Sequence, residues 1–105
     1  MALTVHQLTE KMHAFVLAKG WYEADSKRPQ TPRNLSISLA LEAAEILEHF
    51  QWDEDSDKDE LAGELADVAL YLLQLASISG IDLEDAILKK LEINTKREWD
   101  SKDKK

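Results

Sequence analysis

The sequence has 105 residues, 44% of them hydrophobic and 32% charged, which fits one folded domain and is too apolar for a disordered chain. A formal net charge of −8 argues against nucleic acid or an anionic membrane as a partner, because both are bound through excess Lys and Arg. Cysteine is absent, so disulfides and thiolate metal sites are excluded, and we expect a cytoplasmic protein.

The first predicted element is an amphipathic helix that begins after Thr4 and ends near Gly20. Thr4 and Gln7 have the spacing of a capping box. Apolar residues then recur at helical intervals, at Val5, Leu8, Met12, Phe15 and Val16. The loop over residues 20–34 contains both prolines and is longer than most connections in small domains, which is typical of a functional or mobile segment.

Two further helices are predicted on either side of an acidic segment. Helix two follows "TPRN", with Asn34 as its cap, and runs to about Trp52. The acidic residues 53–60 break this helix, and Ser56 with Asp59 offers a capping box for helix three. Helix three ends near Gly80, which fits a left-handed C-terminal position.

Helix four is predicted to begin after Asp82, and residues 98–105 are expected to be a frayed tail. No run alternates with period two, so no strand is predicted. The first residues do not resemble a signal peptide, and no window approaches the roughly 20 apolar residues of a membrane span. The sequence therefore predicts an all-α four-helix bundle, with a single domain over residues 1–105 and no membrane partner.

Carboxylates form a polar stripe on each of two otherwise apolar helices. At about 100° per residue, Glu42 and Glu45 share one face of helix two, and the pair Glu64 and Asp67 shares one face of helix three. The stripes also include Ser38 and His49 on helix two, and Glu60, Tyr71 and Gln74 on helix three. Buried carboxylates need a compensating positive charge. If the helices are antiparallel, the two pairs can form one cluster, and ligands that are all oxygen favour Mg²⁺ or Mn²⁺ over zinc.

The acid pairs also have a simpler explanation. Acids three residues apart are common on solvated helix faces, and either pair alone favours that explanation. Both pairs lie within strongly apolar helices, however, and leucines flank the stripes, which reverses the preference. Glu48 lies off the stripe and is expected to be an ordinary surface acid.

Helix four adds a lysine and an asparagine on a face that is otherwise apolar. That face consists of Leu83, Ala86, Ile87 and Leu91. A lysine often extends from an apolar surface into solvent, so Lys90 alone decides little. Together with Asn94 it forms a pair suited to a phosphate or carboxylate. From spacing alone, His13 is a structural histidine, and Trp21 either fills the core or stacks on a base.

Taken in order, "LEAAEILEHFQW" and "GELADVALYLLQLA" resemble the MazG-like and dCTP-pyrophosphatase branch of the all-α nucleoside triphosphate pyrophosphohydrolases. The signature of that family is ExxE, a spacer and ExxD, which Glu42, Glu45, Glu64 and Asp67 match. The likeness runs from about residue 13 to residue 97 and includes "PRNL", "FQW" and "LKKLEINTKR". The bare signature is loose, but the ensemble in this order is specific.

The resemblance implies hydrolysis of a (deoxy)nucleoside triphosphate, leaning to dCTP or related dNTPs, to the monophosphate and pyrophosphate, as house-cleaning of the nucleotide pool. Mg²⁺, with Mn²⁺ as the alternative, would be the cofactor, and Glu45 would orient or deprotonate the attacking water. The implied catalytic residues are Glu45, Glu42 and Lys90; the metal ligands are Glu42, Glu45, Glu64 and Asp67. The implied substrate-binding residues are His13, Trp21, Tyr71, Lys90 and Asn94.

Two other functions compete with this one, and both fit the sequence less well. A non-catalytic helical interaction module that kept the fold would have no reason to retain all four acids. A di-iron carboxylate bundle needs two Glu-x-x-His motifs, and only the one at Glu10 and His13 is present. Family members resemble half of a shared bundle, and helices two and three are apolar over much of their surface. A homo-oligomer is therefore expected, with a dimer of dimers favoured over a dimer.

Overall fold

Four helices make up the described part of the computed structural model, which comprises residues 2–99. They are α1 (Val5–Ala18), α2 (Pro32–Phe50), α3 (Lys58–Ile78) and α4 (Leu83–Lys96). No strand occurs within residues 2–99, so the predicted all-α class is confirmed. Helix α2 ends before the predicted boundary at Trp52.

Three of the predicted helix boundaries have the expected chemistry. The Thr4 hydroxyl accepts the Gln7 N–H at 3.1 Å, while the Gln7 side chain accepts the Thr4 N–H at 2.9 Å, which is a complete capping box. The Asp82 carboxylate caps α4 by accepting the Asp85 N–H at 3.1 Å. Gly80 follows α3 with φ 73°, a left-handed conformation that favours glycine.

The predicted cap of α2 is wrong. Thr31 is the N-cap, and its hydroxyl accepts the N–H of Asn34 at 3.2 Å. Pro32 occupies the first helical position, where its missing N–H costs nothing and its fixed φ suits the helix. The Asn34 side chain instead donates to the Pro29 carbonyl at 2.9 Å, and so holds the preceding loop against the first turn.

The predicted cap of α3 is wrong by one residue. Asp57, rather than Ser56, is the N-cap, and its carboxylate accepts the N–H groups of Asp59 and Glu60 at 2.9 and 3.1 Å. A carboxylate carries a full negative charge at the positive end of the helix dipole, so it is the better cap here. The Ser56 hydroxyl lies 3.3 Å from His49 Nδ1 at the end of α2.

Helices α2 and α3 form the most extensive helix pair, α1 packs against α3, and α4 makes smaller contacts with α1 and α3. The α2–α3 pair is antiparallel, since Glu42 lies beside Asp67 and His49, further along α2, lies beside Glu64. The core is small. Within residues 2–99, the buried apolar side chains are Met12, Val16, Leu35 and Ala76.

A large apolar surface remains outside this core. The exposed area is 8650 Å², roughly 2,600 Å² more than the ~6,000 Å² expected for a compact monomer of 12.0 kDa. The radius of gyration is 17.1 Å, whereas a compact domain of this length has about 13 Å. The exposed apolar side chains include Leu41 and Leu47 on α2, Leu65 and Leu72 on α3, and Leu88 and Leu91 on α4.

The C-terminal tail is partly ordered where the sequence predicts fraying. The Trp99 indole N–H donates to the Asn94 carbonyl at 3.0 Å, and the Arg97 guanidinium lies 4.4 Å from the centre of the Trp99 ring. This contact satisfies a carbonyl at the end of α4 that lacks an intrahelical partner. Residues 100–105 of the predicted frayed tail lie outside the described residues.

Helix α3 is long and apolar enough, by length and composition, to cross a membrane. Its most apolar 18 residues have a mean hydropathy of 1.4, which is high enough for a membrane-spanning helix. The prediction that no segment of the sequence is apolar enough to span a membrane is therefore wrong. The same helix packs against α2 and α1 and carries Glu64 and Asp67. Packing against two other helices and carrying two acids are features of a helix in a bundle. Such a helix can also be long and apolar enough to meet the length and hydropathy criteria for a membrane span.

Candidate functional site

The carboxylates of α2 and α3 converge on one cluster. One oxygen from each of Glu42, Glu64 and Asp67 lies within 4.8 Å of the others. The carboxyl group of Glu45 is hydrogen-bonded to those of Glu42 and Glu64, so it borders the same cluster from its exposed side. The antiparallel packing of two helices, each with acids three residues apart, therefore brings all four predicted metal ligands together.

The cluster raises the pKa of two of its members. Burial raises the pKa of Glu42 above its usual range, and the charge of Glu45 and a hydrogen bond from it add to the effect. The pKa of Glu64 is also raised, first by its hydrogen bond with Glu45 and then by burial, while His49 opposes the shift. His49 Nε2 lies 3.8 Å from Glu64 Oε1. Without a cation, the acids of the cluster therefore repel one another, and Glu42 and Glu64 hold their protons more tightly than an ordinary glutamate does.

The donor set fits a hard divalent cation. Glu42 Oε2 and Glu64 Oε2 are buried and have no hydrogen-bond partner. Buried polar atoms are nearly always paired, and a bound ion is one of the few explanations for an exception. The four ligands supply only oxygen, which suits Mg²⁺ or Mn²⁺. An ion between them would satisfy both unpaired oxygens and offset the repulsion.

A cavity of about 480 Å³ adjoins the acid cluster, and Asp67 belongs to both. Its volume is in the range of small-molecule sites. Trp21 and Tyr71 line it, as the resemblance implies, and Ser38 from the α2 stripe lines it as well. Trp21 is held by an edge-to-face contact with Phe15, whose ring centre is 5.7 Å away. Aromatic walls beside a cluster of acids can hold a base on one side and a metal-bound phosphate on the other.

Cations from α1 and the loop also line this cavity, and the sequence did not identify them. They are Lys11, Lys27 and Arg28. The Arg28 guanidinium lies 5.7 Å from the centre of the Trp21 ring, which places its charge beside an aromatic wall. The cavity wall thus carries three cations beside one acid, Asp67, although the net charge of the chain is −8. For Lys27 and Arg28, the only indication in the sequence was the unusual length of the loop over residues 20–34.

His13 lies away from this cavity. Its Nδ1 is 2.5 Å from the Tyr22 hydroxyl and its Nε2 is 2.7 Å from Ser77 Oγ, so both ring nitrogens are engaged. It lines a second cavity of about 440 Å³ between α1 and the turn that joins α3 to α4. The structure therefore does not bring His13 to the walls that Trp21 and Tyr71 form.

Lys90 and Asn94 are also absent from the walls of the first cavity. Helix α4 contacts α1 and α3, and no residue of this helix lines that cavity. Lys90 is exposed, whereas Asn94 Oδ1 is buried without a hydrogen-bond partner. Within one chain, helix four therefore does not contribute to the walls of this cavity.

Comparisons with known proteins agree with this geometry. The model of the MazG-like family matches residues 37–105. Human dCTP pyrophosphatase 1 is 36% identical over 85 residues, which cover 71% of this chain and 50% of that protein. A dATP/dGTP diphosphohydrolase of Salmonella phage PMBT28 is 39% identical over 84 residues, or 79% of this chain and 26% of that protein. The chain thus spans half the length or less of these relatives.

A solved structure has the same fold. The crystal structure of a pyrophosphatase from Archaeoglobus fulgidus DSM 4304 superposes with a TM-score of 0.69 at 30% identity. The superposition covers 90% of this chain and 91% of that one. The similarity therefore extends across the four helices and is not confined to the acid motifs.

Proposed function

The chain belongs to the MazG-like family, and from that premise we propose that it hydrolyses (deoxy)nucleoside triphosphates to the monophosphate and pyrophosphate. We further propose a role in removing surplus or unwanted nucleotides from the cytoplasmic pool. The observation that carries the proposal is the buried, unpaired carboxylate oxygen on each of Glu42 and Glu64. These oxygens belong to a cluster that shares Asp67 with a cavity of nucleotide size.

In this proposal, Glu42, Glu45, Glu64 and Asp67 hold Mg²⁺, with Mn²⁺ as a substitute. When bound, the cation supplies charge neutralisation at the phosphates and makes a bound water more acidic. Glu45 is exposed and lies outside the three acids whose oxygens approach within 4.8 Å of one another, so we assign it to accept a proton from the attacking water. Glu42 lies one turn before Glu45 on α2 and would share the cation with it, which would fix the position of the Glu45 carboxylate.

The cavity suits the rest of a nucleotide. Trp21 and Tyr71 would contact the base, and Lys27 and Arg28 would neutralise phosphate charge. The relatives named for dCTP and for dATP/dGTP support a deoxynucleoside triphosphate, and dCTP is the favoured first candidate. His13 would act on the pocket indirectly, through its contact with the Tyr22 hydroxyl.

A homo-oligomer is part of the proposal. The excess exposed area of roughly 2,600 Å² is of the size that stable subunit interfaces bury. Helix α4 has no buried residue of its own, and its apolar side chains need a partner. Lys90 and Asn94 are proposed ligands of phosphate and sugar. Since α4 does not line the cavity of its own chain, a second copy would have to supply them, in a dimer or a dimer of dimers.

The decisive experiment incubates a panel of dNTPs and NTPs with Mg²⁺ and separates pyrophosphate from orthophosphate as products. We expect pyrophosphate from the wild type and a loss of at least roughly 100-fold in kcat for Glu45→Ala, a typical value for removal of a general base. Glu48→Ala, an exposed acid on the same helix, is the control and should retain activity. Orthophosphate as the product would refute the proposed bond cleavage. No hydrolysis of any triphosphate would favour the non-catalytic interaction module.

A further inference from the structure

We propose that Gln74 contacts the edge of the nucleobase and selects bases that carry an amino group at C4 of a pyrimidine or C6 of a purine, as cytosine and adenine do. Bases with a carbonyl at that edge, such as uracil and guanine, would be disfavoured. The inference rests on the proposed function, because it assumes that the cavity beside the acid cluster holds a nucleotide. Gln74 lines that cavity, and it is 3% exposed.

A chain of hydrogen bonds fixes the orientation of the Gln74 amide. The Arg28 backbone carbonyl can only accept, and Gln30 Nε2 donates to it at 2.6 Å. Gln30 therefore presents its Oε1 to Gln74, whose Nε2 donates to it at 2.7 Å. The second N–H of Gln74 points to the Tyr22 hydroxyl at 3.2 Å.

Both amide N–H groups of Gln74 thus donate to residues of the protein, and the amide oxygen remains available to a ligand. Both side-chain hydrogen bonds of Gln74 within residues 2–99 are made by Nε2, and neither involves Oε1. A rotation of the amide would set an oxygen against Gln30 Oε1, so the network resists it. This oxygen is not among the fully buried unpaired atoms, so a ligand in the cavity can reach it. A base that covers it without donating a hydrogen bond would leave the acceptor unpaired, which is unfavourable.

The position of Gln74 suits the far end of a nucleoside. Asp67, Tyr71 and Gln74 lie on one face of α3, and all three line the cavity. At about 1.5 Å of rise per residue, Gln74 is on the order of 10 Å along the helix from Asp67. If the phosphates bind at the acid cluster and the base packs against Tyr71, Gln74 lies at the edge of the base that is farthest from the phosphates. The amino groups of cytosine and adenine donate there, whereas the carbonyls of uracil and guanine accept.

The first test uses the wild-type protein and needs no substitution. If pyrimidine nucleotides are hydrolysed faster than purine nucleotides, we expect kcat/KM for dCTP to exceed kcat/KM for dUTP by roughly tenfold or more. If purine nucleotides are hydrolysed faster, we expect the same difference in kcat/KM between dATP and dGTP. A deoxyribosyl pyrimidin-2-one triphosphate, which lacks the 4-amino group, should fall well below dCTP. An equal or greater rate for the carbonyl-bearing base would overturn the inference while leaving the proposed hydrolysis intact. Failure to hydrolyse any triphosphate would instead refute the proposed function.

The second test removes the acceptor. Gln74→Leu should lower the ratio of kcat/KM between the amino-bearing and carbonyl-bearing base to near one. Gln30→Leu should lower the same ratio, because the Gln74 amide is then free to rotate, and this variant serves if Gln74→Leu does not fold. Gln51→Leu is the matched control, since Gln51 is an exposed residue just after α2 and should keep the wild-type ratio. An unchanged ratio in the folded Gln74 or Gln30 variant would overturn the assignment.

Discussion

Replacing Glu42 with glutamine should have opposite effects on stability without and with Mg²⁺. Without a metal, the raised pKa of Glu42 shows that its ionised form is disfavoured by burial and by the neighbouring acids. Glutamine keeps the size of the side chain and removes the charge. Glu42→Gln should therefore unfold at a higher temperature than the wild type in EDTA at pH 7.5.

With Mg²⁺ the order should reverse. A cation at 100 times its dissociation constant stabilises the folded state by about 2.7 kcal/mol. For a chain of this length, that free energy corresponds to a rise of roughly 10 to 20 °C in the midpoint of thermal unfolding. Glu42→Gln removes one of the two carboxylates whose buried oxygen has no other partner, so most of this rise should disappear.

The assay is thermal unfolding followed by circular dichroism at equal protein concentration, with EDTA or a Mg²⁺ titration. Glu48→Gln is the control, because Glu48 lies on the same helix, is exposed and is outside the cluster. It should match the wild type in both conditions. Our account of the acid cluster would be refuted if Mg²⁺ stabilised Glu42→Gln and the wild type equally. It would also be refuted if Glu42→Gln were the less stable protein in EDTA.

Three other predictions concern pH, the small core and assembly. The raised pKa values mean that the folded state binds protons more tightly than the unfolded state, so this contribution to stability falls as pH rises above the ordinary glutamate range. In EDTA, the difference in unfolding temperature between Glu42→Gln and the wild type should therefore become smaller as the pH falls from 7.5 to 5. A difference that stays constant with pH would contradict a raised pKa of Glu42. Leu35, at 2% exposure the most deeply buried large side chain, should lose about 2 to 5 kcal/mol of stability on Leu35→Ala, measured by urea unfolding. Finally, mixing inactive Glu64→Gln with inactive Lys90→Ala should restore pyrophosphate release if α4 acts on a partner's cavity, whereas no recovery after subunit exchange would place Lys90 outside the site.

Local patterns predicted the parts of the site that helix periodicity controls. Residues three apart on a helix share a face whatever surrounds them, so the pairing of Glu42 with Glu45 and of Glu64 with Asp67 followed from the sequence. Their convergence needed only one further assumption, that consecutive helices are antiparallel. The structure meets it, with oxygens of three of the acids within 4.8 Å.

Contacts across long stretches of sequence were beyond local patterns. Gln74 meets Gln30, which is 44 positions away, because the loop folds back over α3. Similarly, His13 meets Ser77, and this contact explains why His13 faces away from the cavity. The errors at Asn34 and Ser56 are of another kind. In each case a better cap lies within three residues of the predicted one: Thr31, which precedes a proline, and Asp57, whose carboxylate carries a full charge.

The small core has a consequence for how the protein behaves in a cell. Four buried apolar side chains within residues 2–99 are few for a chain of this length, whereas apolar faces of α2, α3 and α4 remain open. When folding is completed only by association, the free energy of unfolding depends on the concentration of protomers. Dilution would then unfold the protomers as well as separate them. A newly synthesised copy would be most susceptible to proteolysis before it associates with another copy. The abundance of the protein would thus set the fraction of its copies that are folded.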